Sequence, residues 1–174
     1  MNHFHQIAAL LDSYGLDAML LTGEANRFYA SGFHSAGTDG VALVTRKKAY
    51  YFTDSRYIEA AGRSVQGAEI REVGPGRGYG VLLSEALGEQ QVCRLGYEEA
   101  YMTVLEHERY RKALPCDLVP ATELLWKLRA VKDDEELDAM VAAQRIAEKA
   151  LEVILEDTEK RIFDLLKDRS GGDF

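Results

Sequence analysis

The 174 residues suffice for one domain, or for one domain and the start of another. With 47% apolar and 29% charged residues the chain is not of the disordered class, and its size permits a core that needs no disulfide or metal. A formal net charge of −8 argues against nucleic acid as the main partner, since that binding rests on Lys and Arg neutralising phosphates.

Apolar residues Phe4, Ile7, Leu10 and Leu11 form one stripe at helical spacing, and Gly15 follows as a stop. Asp17–Thr22 reads as a buried strand, and Asn26–Gly32 as a short helix or turn closed by glycine. Val41–Thr45 and Ala49–Thr53, separated by Arg46-Lys47-Lys48, predict an antiparallel hairpin. Asp54 and Ser55 can cap a helix over 56–64, with Arg56 and Tyr57 in its first turn. An Arg there opposes the helix dipole, so it needs a carboxylate such as Asp54 or one on a partner; a corner salt bridge and a functional role both fit. A strand over Ala68–Val73, a Gly-rich loop Gly74–Gly80 and a helix near Gly80–Leu87 follow. Val92–Gly96 is a strand, Thr103–Ala113 a helix, Leu118-Val119 the end of a last strand, and Thr122–Arg129 a helix. The alternation predicts an α/β fold: a mixed, mostly parallel sheet with one antiparallel hairpin and flanking helices.

The charge is unevenly spread. Residues 133–174 hold 13 acidic and 6 basic side chains, whereas the rest of the chain is nearly balanced, so a boundary belongs near Lys132. A long helix should start at Asp133, with Glu136 completing a capping box. Its stripe runs through Leu137, Met140, Val141, Ala147, Leu151, Ile154 and Leu155 over about twenty residues. The remainder, 157–174, reads as a short charged tail. The expected organisation is an α/β domain over 1–131 and a linker helix with the start of a further domain over 132–174.

Chemical motifs are few. The Gly74–Gly80 loop stands between strand and helix, where backbone N–H groups can cradle phosphate, but it lacks a GxGxxG register and a Walker lysine. A small nucleotide-binding protein is therefore a distant reading, and ATP or GTP titration would test it. Cys93 and Cys116 show neither CxxC spacing nor a neighbouring His, so they are expected to be buried free thiols with no redox or zinc role. The acidic run 133–136 is explained by a helix N-terminus without a metal. No apolar span for a membrane and no basic-apolar leader are present in Met1-Asn2-His3-Phe4-His5, which leads to a cytoplasmic expectation.

Four segments occur in an order that carries a resemblance: Asn26-Arg-Phe-Tyr-Ala-Ser-Gly-Phe33, Tyr51-Phe-Thr-Asp-Ser-Arg-Tyr57 with Glu59-Ala-Ala61, Leu95-Gly-Tyr-Glu98, and Leu128-Arg-Ala-Val-Lys132 with Glu135-Glu-Leu137. Together they resemble the N-terminal domain of the creatinase/prolidase/aminopeptidase P metallopeptidases, above all bacterial Xaa-Pro aminopeptidases and Xaa-Pro dipeptidases. The resemblance implies a ribonuclease H-like sheet followed by a long linker helix. It also implies a second, catalytic domain holding two divalent ions, manganese or cobalt, through two Asp, one His and two Glu. No position in this chain matches those ligands or the catalytic groups, so the chain alone is expected to hold no catalytic residue and no cofactor, and to be inactive as a peptidase.

By the same resemblance the N-terminal domain serves homodimerisation and walls the entrance for short proline-containing peptides. Asn26, Arg27, Tyr29, His34 and Arg56 are the residues expected to face that entrance or a dimer partner. The competing reading is a stand-alone, non-catalytic module that dimerises or binds a partner through the stripe from Leu137 to Leu155.

Overall fold

The computed structural model describes residues 2–37 and 39–170, with side chains described as far as Lys167. The chain divides into two compact units, 1–131 and 132–174, and each is treated by itself.

The first unit is built on a six-stranded sheet: β1 (Ala18–Leu21), β2 (Val41–Thr45), β3 (Ala49–Asp54), β4 (Ala68–Val73), β5 (Arg94–Tyr97) and β6 (Asp117–Pro120). Their spatial order is β4-β3-β2-β1-β5-β6. The β1–β5, β3–β4 and β5–β6 pairs are parallel, and β2 is antiparallel to both β1 and β3. Five strands therefore share one direction and β2 alone opposes them. The Arg46–Lys48 spacer closes the hairpin, with Thr45 N–H donating to the Lys48 carbonyl at 2.9 Å.

Helices cover both faces: α1 (Phe4–Leu10), α2 (Glu24–Ser31), α3 (Ile58–Ser64), α4 (Tyr79–Glu89), α5 (Val104–Ala113) and α6 (Thr122–Ala130). Strand parity divides the core accordingly. Met19, Leu21, Ala42, Val44 and Tyr51 pack with Phe4, Ile7, Leu124 and Leu125 of α1 and α6. Ala18, Leu20, Leu43, Tyr50 and Phe52 pack with Leu82, Leu83, Ala86 and Leu87 of α4. Burial on both faces is why β1 and β2 read as continuous apolar runs with no polar alternation. Each fully buried Leu contributes about 1.5–3 kcal/mol of transfer free energy.

Gly96 sits where β5 passes closest to its surroundings. A Cβ there would lie 2.7 Å from Leu16 Cδ1, 2.8 Å from Met19 Sδ and 3.0 Å from Ala121 Cβ. The two flexible side chains can yield but Ala121 cannot move without its backbone. Gly96→Ala is expected to destabilise the unit by about 1–3 kcal/mol through overpacking. Urea unfolding should show a lowered midpoint at unchanged slope.

Two expectations need correction in this unit. The helix after β3 begins at Ile58, two residues later than predicted, because Asp54 caps a turn instead: its Oδ1 accepts from Arg56 N at 2.9 Å and its carbonyl from Tyr57 N at 3.1 Å. Arg56 thus precedes the helix and is spared the dipole. Cys93 is exposed and Cys116 half-buried, so neither is the buried core thiol expected. Val92 takes the core place, and Cys93 lies one residue ahead of β5, at the rim of the sheet. The Gly74–Gly80 loop folds into a tight turn, with Arg77 N donating to the Gly74 carbonyl at 3.0 Å and Gly76 at φ +77°. Arg77 itself pairs with Glu85.

The second unit is one helix, α7 (Asp134–Ser170). The predicted capping box is present: Glu136 N donates to Asp133 Oδ1 at 2.8 Å and Asp133 N to Glu136 Oε2 at 3.0 Å. The helix runs well past the expected twenty residues, and the segment read as a tail continues it as far as Ser170. No Gly or Pro interrupts 134–170, and acid–amide and acid–base side chains recur at i,i+4 spacing, as in Gln144–Glu148 and Asp157–Arg161. The Gly171–Phe174 segment lies outside the described residues.

Candidate functional site

In a sheet whose strands mostly run one way, the connections at their carboxyl ends gather along one rim, which is where α/β proteins form crevices. Here that rim collects the β1–α2 junction, the turn after β3 and the start of the segment after β5. Because β2 runs backwards, the loop 32–40 leading into it reaches the same rim. Four of the five candidates (Asn26, Arg27, His34 and Arg56) stand at this rim, and Tyr29 lies one turn further along α2.

Glu98, just beyond β5, organises the junction. It is fully buried and accepts hydrogen bonds from Thr22 N, from Gly23 N at 2.8 Å and from Asn26 Nδ2. A Cβ at Gly23 would come within 3.0 Å of the carboxylate and 3.1 Å of the Tyr101 ring, so glycine is what allows Glu98 to reach the first turn of α2. Burial pushes the Glu98 carboxyl pKa up, opposed by the three donors and by the charge of Arg27. The carboxylate also sits at the positive end of α2.

Arg27 is 1% exposed and acts as a clamp. Its Nη1 donates to the Thr22 carbonyl, and its Nη2 to the Ser35 carbonyl at 3.1 Å and the Gly37 carbonyl at 2.6 Å. It thereby ties the loop 33–37 to the end of β1. Arg27 Nε and the neighbouring Thr22 Oγ1 are buried with no hydrogen-bond partner among the described residues. Asn26 passes the network on, accepting at Oδ1 from Arg129 Nη1 at 2.6 Å. Tyr29, also buried, stacks on His3 with ring centroids 3.9 Å apart, and the Arg129 guanidinium lies over the Tyr29 ring, 5.8 Å from its centre.

His34 and Arg56 are exposed. His34 Nε2 lies 3.0 Å from Glu24 Oε1, and the other oxygen of Glu24 accepts from Gly37 N at 2.9 Å. Arg56 Nη2 bridges Asp54 Oδ2 at 2.6 Å and Asp39 Oδ1 at 2.7 Å. Its hydrogen bonds hold the Asp54 carboxyl below the usual carboxylate range. The candidates thus separate into two sets: Asn26, Arg27 and Tyr29 are internal ties, and His34 and Arg56 are accessible polar groups at the surface. Sequence reasoning quoted Glu98 and Arg129 only within motifs and passed over Asp39 and Glu24. The signal available for Glu98 was an acid directly after an apolar strand.

On the α4–α5 side the rim opens into a cleft of about 430 Å³, bounded by Thr22, Gly40, Tyr79, Glu106, Arg109 and Tyr110. Burial pushes the Tyr79 and Tyr110 phenols up to about 12, so both remain hydroxyl donors at neutral pH. Within residues 2–131 no three His, Cys, Asp or Glu side chains among the described residues bring ligand atoms within 4.8 Å of one another. This unit's described residues therefore do not fit a two-metal centre.

The sequence profile of the creatinase/prolidase N-terminal domain matches residues 5–131, the whole of the sheet and its helices. The chain belongs to this family. An uncharacterised peptidase, YqhT, of Bacillus subtilis (strain 168) is 35% identical over 150 residues, which cover 84% of this chain and 40% of the relative. A solved Xaa-Pro dipeptidase from Bacillus anthracis superposes with a TM-score of 0.80 at 31% identity, covering 88% of this chain and 42% of that one. The N-terminal domain of the cytoplasmic peptidase PepQ from Mycobacterium tuberculosis H37Rv superposes with a TM-score of 0.63 at 29% identity, covering 72% of this chain and 97% of that one. The chain thus spans about two-fifths of the length of the first two relatives. Among the described residues no helix is long and apolar enough to cross a membrane.

Proposed function

We propose that this creatinase/prolidase N-terminal domain is the non-catalytic part of a cytoplasmic, metal-dependent Xaa-Pro peptidase, an aminopeptidase P or proline dipeptidase. The observation that carries this reading is the likeness to the Bacillus anthracis Xaa-Pro dipeptidase, which takes in most of this chain and under half of the other. In this reading residues 132–174 are the linker helix and the start of the catalytic domain. The two divalent ions, manganese or cobalt, are held in that domain, outside this chain.

The domain then serves homodimerisation and walls the entrance to the site for short proline-containing peptides. His34 and Arg56, with Glu24, Asp39 and Asp54 beside them, supply exposed groups of both signs for a peptide's ends or a partner's surface. Asn26, Arg27 and Tyr29 hold that surface in place from below.

The test compares the 174-residue chain with a longer product of the same gene that carries a catalytic domain. With Mn²⁺ and Xaa-Pro peptides, the longer protein is expected to cleave and the chain alone to remain inactive. In the longer protein, His34→Ala and Arg56→Ala are expected to raise KM for tripeptides up to about fivefold, the scale of exposed charge contacts, with kcat unchanged. Hydrolysis by the 174-residue chain itself would overturn the reading. A gene with no continuation would instead favour a stand-alone dimerisation module.

A further inference from the structure

The two cysteines, 23 positions apart, each stand one residue ahead of a strand, Cys93 before β5 and Cys116 before β6. Arg94 of β5 is in register with Asp117 of β6, and the Asp117 N–H donates to the Cys93 carbonyl at 2.9 Å. Carried one residue beyond the ladder, that register sets Cys93 against Cys116. Neighbouring strands lie about 4.8 Å apart, inside the range of about 4.4–6.8 Å between Cα atoms that a disulfide spans. Cys116 borders the core on the α4 side, as does Leu118 two positions on, and Cys93 lies exposed at the rim, in the bend ahead of β5.

The two thiols differ in access. Cys93 is exposed, and its backbone is anchored by Asp17, whose Oδ2 accepts from Cys93 N at 2.9 Å and Arg94 N at 2.8 Å. Cys116 is half-buried; burial, then the charges of Asp117, Cys93 and Asp17, push its thiol up to about 11. Two cations belong to this end of the sheet: Arg46, paired with Asp17 at 2.6 Å, and Arg94, next to Cys93 in the chain. An open attacking thiol beside a shielded one is the arrangement that lets a small oxidant react first and the protein close the bond second.

We propose that Cys93 and Cys116 form a reversible disulfide linking β5 to the edge strand β6, by exchange with a low-molecular-weight disulfide. The Cys93 thiolate attacks one sulfur of the oxidant, and the other sulfur leaves as a thiolate. Cys116, having released its proton, then attacks Cys93 Sγ of the mixed disulfide and expels the second small thiolate. Two protein thiols are oxidised and one small disulfide is reduced to two thiols, so the exchange balances. The bond closes the segment that contains β5 and α5 and ties down an edge strand of only four residues.

The test treats the reduced 174-residue chain with oxidised glutathione at mildly alkaline pH and follows intact mass. The expected product is monomeric, lighter than the starting protein by two hydrogens, and restored by dithiothreitol; its tryptic digest contains peptides 78–94 and 113–127 joined. Cys116→Ser is expected to stop at a glutathione adduct on Cys93, and Cys93→Ser to remain unmodified over the same interval. Because closure requires the Cys116 thiolate, its rate should climb about tenfold per pH unit below the thiol's pKa. Accumulation of the wild-type glutathione adduct without closure, or a product consisting of disulfide-linked dimers, would overturn the proposal.

Discussion

Arg27→Ala is expected to destabilise the 1–131 unit by about 3–5 kcal/mol, the range for removing one member of a buried charged network. The truncation leaves the Thr22, Ser35 and Gly37 carbonyls without their donor and removes the cation that offsets the buried Glu98. It also empties the volume of one of the largest fully buried side chains in the unit. Arg27→Lys keeps the charge but not the planar fork that reaches carbonyls on two segments, so about 1–3 kcal/mol is expected there. Urea unfolding gives the magnitudes. Amide exchange should locate the first loosening in residues 33–37, the loop that the guanidinium ties to β1. A loss below about 1 kcal/mol for Arg27→Ala would show that the clamp contributes nothing beyond packing.

Glu98→Ala should cost a similar amount, about 3–5 kcal/mol, since the N–H groups of Thr22 and Gly23 and the Asn26 amide all lose their acceptor in a buried place. Glu98→Gln is milder but more informative about charge. The folded-state pKa of Glu98 is raised, so between its unfolded value and that raised value the folded protein holds a proton that the unfolded chain has released. Stability contributed by this group is therefore complete at low pH and falls as pH rises through that window. Glutamine does not titrate. Its deficit relative to the wild type should shrink as pH increases from about 4.5 upwards. Asp17 and Glu99, whose pKa values are lowered chiefly by backbone and side-chain hydrogen bonds, act in the opposite sense and lose their contribution as pH falls. A Glu98→Gln deficit independent of pH would contradict the buried-carboxyl account.

Much of the secondary structure was legible because its causes are local. Stripes at helical spacing marked α1 and α7, a three-residue basic spacer marked the β2–β3 hairpin, and the Asp133/Glu136 pair marked the start of α7. The misplacements were local competitions that spacing does not decide. Asp54 served a turn in place of a helix cap, and the absence of any breaker between 134 and 170 carried α7 through a segment whose charge resembled a tail. The ordered motifs also sufficed to place the chain in its family.

The site divides along the same line. The residue types of Asn26, Arg27, Tyr29, His34 and Arg56 stand out in the chain, yet whether each is a buried tie or an accessible polar group depends on what the sheet brings over it. Glu98 bonds to Gly23 from 75 positions away, and Cys93 and Cys116 stand at the starts of two strands that become neighbours only because β5 and β6 pair in parallel. Periodicity and capping act over one or two turns of chain, so the amino-acid order by itself determined the elements, the hairpin and the family. Strand order, the buried network around Glu98 and the alignment of β5 with β6 join distant segments, and only packing the strands into one sheet decided them.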